Sequence, residues 1–401
     1  MDEKQKTVIV VGAGASGLMA AIQAARAGAR VTVLDREMKP GRKLLRTGNG
    51  RCNLTNTGSL TGVYHGSDRS FAVKVLENWS VEDTLAFFEE IGVHTMSRGG
   101  WIYPYSDQAE SVLQDLIMAA EECGVRIKNN EEVIRVRKVM GVFKVETASW
   151  TYEADAVILA CGTRAGIADK EPQPEPAGIA ARMGHTLVRQ LPALVPLTVE
   201  GAGKLGWAGV RVNGSVRIIS GREVIAEESG QLQLTEYGIS GIPVFIVSSE
   251  AVRMLDSKAP VYAELDFFPD GSERELAELL HARHVNSPAR PLKKLLIGLF
   301  PEKLIPALTA GSPDLISLAE RAKHFRVRVT GHQGVKAAQV MSGGIATDEM
   351  NPRTCMSRLI EDLYITGEML DIDGACGGWN LQFAWSTGAL AGRSAGGAEE
   401  K

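Results

Sequence analysis

The chain opens with an apolar pattern that changes its period twice within one short segment. The run "VIVVGAGASGLMAAIQAARAGARVTVLDRE", which begins at Val8, contains a continuous apolar strand, a glycine turn, an alanine-rich helix and a second β-branched strand. A buried strand that leads through a helix into another strand is typical of a parallel sheet with crossover helices. The pattern predicts a mixed α/β fold that begins with a Rossmann-like unit.

Later segments predict two further kinds of structure. Residues 195–268 alternate in strand fashion, with turn signals at Asn213-Gly214 and Ser220-Gly221, which favours a small antiparallel sheet or barrel. Residues 270–322 have the pattern of amphipathic helices separated by prolines. The predicted organisation is a Rossmann-like domain in two parts, 1–190 and 335–401, with an inserted antiparallel β subdomain at 191–269 and an inserted helical subdomain at 270–334.

The glycine turn has the spacing of a dinucleotide-binding site. Gly12 makes the tight turn, Gly14 lets the backbone approach a pyrophosphate, and Gly17 lets the helix pack closely on the strand. The N-terminal amides and the dipole of that helix stabilise phosphate charge. Asp35 ends the second strand, where a carboxylate can accept hydrogen bonds from a ribose hydroxyl.

A second stretch with the same glycine spacing does not predict a second domain of this kind. The sequence "GAGKLG", from Gly201 to Gly206, runs into an alternating strand pattern and has no helix for phosphates to face. We interpret it as a loop or hairpin. Any nicotinamide nucleotide is therefore expected to reach the active site without a domain of its own.

A polar loop, "GRKLLRTGNGRCNLTN" (41–56), follows the first unit. Its glycines permit backbone conformations that other residues avoid and allow close approach to a ligand. Arg42, Lys43, Arg46 and Arg51 can offset the charge of a pyrophosphate, and the three asparagines offer paired donors and acceptors. We expect this loop to hold an extended anionic ligand.

This loop and the run "LYITGEMLDIDGACGGWNLQFAWSTGALAG" (363–392) resemble the FAD-binding flavoprotein family that contains aminoacetone oxidases and the BaiN-type NAD(P)- and FAD-dependent reductases of dehydro bile acids. "LVPL" (194–197) and "LTEYGISG" (234–241) also match, and the resemblance extends over most of the chain. Relatives usually have Gly-Pro after the Ile-Ser, whereas this chain has Gly241-Ile242-Pro243; Tyr is common where this chain has Trp379. These departures concern the substrate rather than the cofactor.

The resemblance implies FAD as the cofactor, held by both ends of the chain. The turn at Gly377 and Gly378 begins a helix whose amides can approach the flavin N1 and C2 carbonyl region, where negative charge grows on reduction. By resemblance, Glu368, or the nearby Asp371 and Asp373, holds the ribityl chain or neighbouring loops, and Val133 contacts the adenine through its backbone. The predicted cofactor-binding residues are Gly12, Gly14, Ala15, Ser16, Gly17, Asp35, Arg36, Lys43, Gly48, Gly50, Arg51, Cys52, Asn53, Val133, Cys161, Gly162, Gly367, Glu368, Gly377, Gly378, Trp379, Asn380 and Leu381.

Candidates for catalysis are weaker. Cys52 lies beside Arg51, and a nearby cation can lower the pKa of a thiol; packing beside the flavin is the alternative role. A single cysteine in this loop argues against a dithiol mechanism. His65, Tyr64, Tyr103 and Tyr237 can donate a proton to a reduced substrate, with aromatic packing or surface placement as the alternative for each.

The composition of the chain restricts its expected binding partners and its expected cellular compartment. The 44 basic and 48 acidic residues nearly balance, so nucleic acid is not the expected partner. Residues 281–336 contain ten basic and three acidic residues, which we interpret as the solvated faces of helices. Binding of an anionic substrate or of a protein surface is the alternative role of this basic segment. The five cysteines form no closely spaced pair, so we expect no disulfide framework, no zinc and a cytoplasmic location. His281 and His284 have no evident third ligand, and no stretch has the pattern of a membrane span.

Together these features predict an FAD-dependent oxidoreductase that acts on a small or hydrophobic organic molecule. NAD(P)H-linked reduction of an activated C=C bond is the leading hypothesis, and oxidation of an amine with oxygen as acceptor is the alternative. A tRNA-binding or tRNA-modifying flavoprotein and an electron-transfer protein without a substrate of its own are rivals from other classes.

Overall fold

The computed structural model describes residues 5–166, 175–311 and 314–398. The strands are β1 (Thr7–Val11), β2 (Arg30–Leu34), β3 (Thr55–Asn56), β4 (Tyr64–His65), β5 (Thr95–Arg98), β6 (Trp101–Pro104), β7 (Arg126–Lys128), β8 (Val133–Val139), β9 (Val142–Thr147), β10 (Thr151–Ala154), β11 (Ala156–Leu159), β12 (Leu191–Ala193), β13 (Leu197–Val199), β14 (Val210–Ser220), β15 (Glu223–Leu234), β16 (Gly238–Ser240), β17 (Val261–Asp266), β18 (Phe325–His332), β19 (Val340–Ser342), β20 (Leu363–Ile365) and β21 (Asp373–Gly374). The α-helices are α1 (Ala15–Arg26), α2 (Arg69–Asn78), α3 (Val81–Glu90), α4 (Ala109–Glu122), α5 (Gly178–Ala181), α6 (Ile242–Asp256), α7 (Glu273–Asn286), α8 (Leu292–Leu295), α9 (Ile305–Thr309), α10 (Leu315–Lys323) and α11 (Trp379–Gly396).

These elements form two compact units. The first unit combines residues 1–190 with 340–401, and the second unit consists of residues 191–339. The predicted α/β fold with a Rossmann-like domain and an inserted barrel is confirmed. The finer division into four segments stays a prediction.

A five-stranded parallel sheet forms the centre of the first unit, with the strand order β20-β11-β1-β2-β7. Val8, Val10 and the strand Ala156–Leu159 are buried almost completely, as expected for a sheet that is covered on both faces. The carboxyl end of β1 leads directly into the glycine turn and α1. Ligands of open α/β sheets bind outside such strand ends.

Helix α11 packs against α1 through a row of glycines. A Cβ added at Gly388 would overlap the carbonyl oxygen of Ser16, and one at Gly392 would overlap that of Ala20. The two backbones can therefore approach more closely than ordinary side chains would allow. The start of α1 therefore lies against the middle of α11, and the N-terminus of α11 extends roughly 13 Å beyond that of α1.

Small sheets complete the first unit. Strands β3, β6 and β5 form an antiparallel sheet in that order, and β4 pairs with β21. A third antiparallel sheet has the order β10-β9-β8. The first sheet pairs the end of the polar loop at 41–56 with residues 95–104, and the second pairs residues 64–65 with the segment that precedes α11.

The second unit contains a closed antiparallel barrel with the strand order β13-β16-β15-β14-β17-β18. The sequence "GAGKLG" forms a loop that contains a short 3-10 turn at Ala202–Lys204. This agrees with its interpretation as a loop or hairpin. Strand β18 closes the barrel; it follows the segment 270–322 with the helical pattern but lies within the bounds predicted for the helical subdomain, 270–334.

Two details of the sequence interpretation of the second unit are wrong. Asn213-Gly214 is not a turn but lies inside β14, where a Cβ on Gly214 would overlap the carbonyl oxygen of Asp266. Close approach of neighbouring strands, rather than chain reversal, explains this glycine. Residues 242–256 form helix α6 instead of a strand, with Pro243 in its first turn.

No helix in the described parts of the chain is long and apolar enough to cross a membrane.

Candidate functional site

The glycine turn after β1 contains two glycines that the fold requires and one that it does not. Gly12 has a φ of +106°, and a Cβ there would lie 2.5 Å from the carbonyl oxygen of Ala160; a Cβ on Gly17 would overlap the carbonyl oxygen of Gly12. Gly14 has an ordinary φ of −87°, and a Cβ there would meet nothing within 4 Å. The open space beside Gly14 is where an approaching phosphate group needs a bare backbone.

Helix α1 begins at this turn without a capping side chain. Gly14 is its N-cap residue, and no acidic residue lies in its first turn. The first amide groups of a helix have no partner within the helix, and the dipole places partial positive charge there. This end of α1, with Ala15 and Ser16 as its first residues, can therefore bind a pyrophosphate.

Asp35 lies beside the same turn, at the end of β2. Its carboxylate accepts hydrogen bonds from the amides of Ala13 at 2.5 Å and Glu37 at 2.8 Å. Burial raises the pKa of Asp35, although the two amide hydrogen bonds act in the opposite direction. The carboxylate is thus held at the edge of the glycine turn, and its contact with a ribose stays a prediction. Arg36 follows it, with Nε 3.4 Å from a carboxylate oxygen of Glu37.

The polar loop at 41–56 has an exposed tip and a buried base. Gly48 and Asn49 both have a φ of 56°, and Gly50 has a φ of 84°. Residues 48–51 are exposed, whereas residues 52–56 are buried. The loop therefore presents its glycines and Arg51 outward while Cys52 and Asn53 anchor it.

Lys43 and Glu368 connect this loop to the C-terminal part of the first unit. The Lys43 ammonium forms an ion pair with Glu368, and the hydroxyl of Thr163 donates to the same carboxylate at 2.8 Å. The ammonium also lies 3.5 Å from that hydroxyl. Three segments that are distant in sequence thus meet at one charged cluster beside the predicted cofactor path.

Asn53 and Asn56 join the base of the loop to the start of α11. With its amide nitrogen facing the carbonyls, Asn53 donates to Thr55 O and Ile102 O and accepts from Gly378 N at 3.2 Å. The side-chain amide of Asn56 donates to Gly377 O at 2.7 Å. The loop and the second glycine turn therefore form one rigid wall.

This second turn leaves the N-terminus of α11 without a capping side chain or a nearby acid. Gly377 and Gly378 have φ values of +116° and +94°, which only glycine adopts without strain. Asn380 fixes the preceding segment, because its side chain accepts from Gly374 N at 2.8 Å and donates to Gly374 O at 2.7 Å. Such a helix end is suited to stabilise negative charge.

The remaining predicted cofactor residues lie around these two turns. Gly367 has a φ of +63°, and a Cβ there would lie 2.8 Å from the Ser16 hydroxyl. Gly162 has a φ of +64° and follows the end of β11, and Val133 is the first residue of β8. Trp379 and Leu381 belong to the first turn of α11. The individual contacts of these residues with a cofactor stay predictions.

Burial of the two thiols in the predicted site, Cys52 and Cys161, disfavours their ionisation and so favours packing over reactivity. Cys52 is fully buried, and burial raises its pKa to about 12. This direction is opposite to the lowering that Arg51 alone would cause. Burial likewise raises the pKa of Cys161 to about 12, and the negative charge of Asp35 acts in the same direction. Packing is therefore the role that the structure supports for both.

The proton-donor candidates differ in how they are placed. The Tyr64 hydroxyl donates to Trp379 O at 3.0 Å, so it is already engaged. His65 is half-buried, with Nδ1 3.8 Å from a carboxylate oxygen of the buried Asp373. Tyr103 lies in β6 against the polar loop, whereas Tyr237 belongs to the second unit. Tyr103 and His65 are the candidates that the first unit itself provides.

Sequence reasoning missed three residues that shape the site. A Cβ on Gly377 would lie 3.1 Å from the ring of Trp101, Thr163 shares Glu368 with Lys43, and Gln382 accepts from the Thr55 hydroxyl at 2.6 Å. The alternation in "WIYP" places Trp101 and Tyr103 on one face of a strand and could have indicated the first of them. No sequence signal distinguishes the other two.

These observations fit FAD. Two uncapped helix N-termini and the open backbone at Gly14 suit a pyrophosphate and a flavin edge, and the acid beside β2 suits a ribose. The ion pair of Lys43 with Glu368 adds a charged donor and a charged acceptor to the same site. Among the described residues no cluster of side chains has the composition of a metal site. Fold and site thus define a Rossmann-type flavoenzyme.

Comparison with known proteins agrees with this class. The family described as "HI0933-like protein Rossmann domain" matches residues 6–394, and the chain belongs to this family. A 3-dehydro-bile acid delta(4,6)-reductase from Clostridium scindens is 40% identical over 96% of this chain and 98% of its own. A ribosomal RNA dihydrouridine synthase from Escherichia coli is 28% identical over 94% of this chain and 95% of its own. The chain is an FAD-dependent oxidoreductase.

A solved structure shares the fold. The 3-ketosteroid delta1-dehydrogenase from Sterolibacterium denitrificans superposes with a TM-score of 0.51 at 12% identity, covering 98% of this chain and 100% of that one. At this identity the similarity concerns the fold alone.

Proposed function

We propose that this protein reduces a C=C bond conjugated with a carbonyl group in a small hydrophobic molecule, with NAD(P)H as the electron donor. The observation that carries this proposal is the 40% identity, over nearly the whole of both chains, to a reductase named for the delta(4,6) position of a 3-dehydro bile acid. A steroid-like enone is the substrate class that follows from it.

The more distant relatives support the reaction type while differing in substrate. Dihydrouridine differs from uridine by the addition of two hydrogen atoms to a C=C bond that is conjugated with a carbonyl. The ribosomal RNA dihydrouridine synthases of Escherichia coli and Haemophilus influenzae are both 28% identical to this chain. Addition of a hydride to an electron-poor C=C bond is therefore the chemistry that the names of both groups share.

Residues of the first unit would hold the cofactor for this reaction. Gly14 and the end of α1 would hold the pyrophosphate, Asp35 a ribose, and the cluster of Lys43 with Glu368 the segment between pyrophosphate and ring. The uncapped end of α11 would stabilise negative charge near flavin N1. Bound FAD supplies hydride chemistry, which no side chain of the chain can supply.

The second unit bears on how the electron donor would reach the flavin. Its glycine-spaced segment is a loop beside a barrel strand and does not form a dinucleotide-binding turn. The nicotinamide nucleotide would therefore reach the flavin without a dinucleotide-binding domain of its own.

Two other functions remain as candidates. The 28% identity to ribosomal RNA dihydrouridine synthases favours RNA as a substrate, and the basic segment 281–336 would then contact it. The family resemblance also includes amine oxidation with oxygen as acceptor.

A product assay separates these functions. The purified protein is incubated with NADPH or NADH in the absence of oxygen. Each reaction contains one of three substrates: a 4-en-3-one steroid, a 4,6-dien-3-one bile acid or a uridine-containing ribosomal RNA fragment. The products are analysed by mass spectrometry. The proposal predicts a gain of two hydrogen atoms by the steroid or bile acid. A gain only by the RNA, or no reduced product with any of them, would contradict it.

A further inference from the structure

Strand β6 places two aromatic side chains on one face, between the two parts of the cofactor site. Trp101 and Tyr103 alternate onto the same side of the strand. The Trp101 ring adjoins Gly377, and Cε1 of Tyr103 lies 3.6 Å from the position of a Cβ on Gly48. Tyr103 thus lies against the exposed tip of the polar loop, on the same face of the strand as the Trp101 ring that adjoins the turn before α11.

The Tyr103 side chain is largely covered, but its hydroxyl oxygen is not one of the buried side-chain atoms that lack a partner, so the oxygen is accessible. Only 8% of Tyr103 is exposed, yet its hydroxyl forms no hydrogen bond with any residue that the structure describes. An accessible hydroxyl can bind water or a ligand instead of a protein group. The O–H group is therefore available to a ligand that enters beside the loop.

Two cations flank the Tyr103 ring. The guanidinium carbons of Arg51 and Arg98 lie 6.0 Å and 5.2 Å from its centroid. Asp107 fixes Arg98 through two hydrogen bonds of 3.0 Å and 2.7 Å. Burial raises the pKa of Tyr103 while the two arginines act against it, so the phenol is protonated at neutral pH. A donor with nearby positive charge is suited to an oxygen atom that becomes negative during a reaction.

We propose that the Tyr103 hydroxyl binds the carbonyl oxygen of the substrate and stabilises the charge that develops there, with Arg51 and Arg98 reinforcing it. This inference rests on the proposed function. A hydride forms a new C–H bond at the carbon β to the carbonyl, and the electron pair of the C=C bond moves onto the oxygen. A proton from solvent then adds to the α carbon, so the substrate gains two electrons that NAD(P)H has supplied through the flavin.

Other aromatic hydroxyls in the first unit are less suitable. The Tyr64 hydroxyl is already bound to Trp379 O. Tyr105 is 68% exposed, and its ring is tilted against that of His94 with ring centroids 5.6 Å apart. Tyr105 is therefore a matched control: it lies two residues from Tyr103, and its hydroxyl can be removed by the same change to phenylalanine.

The test compares Tyr103→Phe and Tyr105→Phe with the unmodified holoenzyme. Each protein is reduced by NADPH without oxygen and then mixed with a 4-en-3-one steroid while flavin absorbance is followed. Tyr103→Phe is expected to slow reoxidation by the steroid about 10²–10³-fold. Its flavin content, its reduction by NADPH and its reoxidation by oxygen are expected to stay within about twofold, and Tyr105→Phe is expected to match the unmodified protein.

A binding measurement gives a second readout. Titration of the oxidised holoenzyme with the same steroid perturbs the flavin absorbance, and Tyr103→Phe is expected to weaken this binding about tenfold through loss of one hydrogen bond. Arg98→Gln removes one flanking cation and is expected to slow steroid reoxidation about tenfold without changing flavin content.

The outcomes separate the inference from the proposed function. Equal steroid reoxidation rates and equal steroid affinity in Tyr103→Phe and the unmodified protein would overturn the role of Tyr103 and leave the proposed function intact. Failure of the unmodified protein to bind or to be reoxidised by the steroid would overturn both.

Discussion

Gly14 provides a direct test of the cofactor site because the fold itself does not need a glycine there. Its φ of −87° suits any residue, and a Cβ would meet no protein atom within 4 Å. Gly14→Val should therefore fold, with a cost of about 1 kcal/mol from a poorer N-cap residue. The added side chain would fill the space through which a pyrophosphate approaches α1.

The expected magnitude follows from linkage. FAD at 100 times its Kd stabilises the folded protein by about 2.7 kcal/mol. In a protein of 401 residues that corresponds to a rise in Tm of roughly 3 °C. If the valine weakens FAD binding about 100-fold, the same FAD concentration gives only about 0.4 kcal/mol. The FAD-induced rise in Tm should then nearly disappear.

The assay is thermal unfolding of the apoprotein with and without FAD, combined with the flavin absorbance of the protein after gel filtration. Gly203→Val is a matched control, because Gly203 has the same position within "GAGKLG", where a Cβ would lie 3.9 Å from Glu236 O. It should keep the full FAD-induced rise. Full FAD occupancy in Gly14→Val, or an equal loss in Gly203→Val, would refute the reasoning.

Three further predictions concern packing and charge. Gly17→Ala should destabilise even the apoprotein by about 3 kcal/mol in urea unfolding, since its Cβ has no space; an unchanged midpoint would contradict the packing argument. Iodoacetamide at pH 8.5 should leave Cys52 unmodified in the native protein and label it after unfolding, because burial raises the pKa of this thiol to about 12. Peptide mass mapping measures the labelling, and rapid labelling of Cys52 in the native protein would disprove the prediction. Burial acts to raise the pKa of Glu349, but hydrogen bonds from Thr186 and His185 outweigh it and lower the pKa. The ionised carboxylate therefore stabilises the folded protein above the unfolded pKa of about 4.3, and this contribution is lost as pH falls below that value. The difference in free energy of unfolding between the unmodified protein and Glu349→Gln should shrink between pH 7 and pH 3. A constant difference over this range would contradict the argument.

The first βαβ unit was predictable because its signals are local. A continuous apolar strand, three glycines and a helical pattern occur within one segment, and each has one structural explanation. The same reasoning correctly set aside Gly201 to Gly206, since no helix follows them. It failed at Asn213-Gly214, because a glycine that permits close strand packing has the same local signature as a turn.

Long-range partners could not be predicted from one sequence. Lys43 and Glu368 are 325 positions apart, and nothing in either segment specifies the other. Cys52 shows the same limit, because its neighbour Arg51 suggested a lowered pKa, whereas the burial that raises it depends on tertiary packing. The unpartnered hydroxyl of Tyr103 likewise depends on which atoms surround it rather than on its place in the sequence.

The central claim is that this chain passes electrons from a nicotinamide nucleotide, through FAD, to a conjugated C=C bond. Anaerobic stopped-flow absorbance tests it most directly: the yellow protein is mixed first with NADPH or NADH and then with a 4-en-3-one steroid. The account predicts rapid bleaching of the flavin band, followed by its return on addition of the steroid in the absence of oxygen. A band that neither nucleotide bleaches, or that returns only when oxygen is admitted, would contradict it.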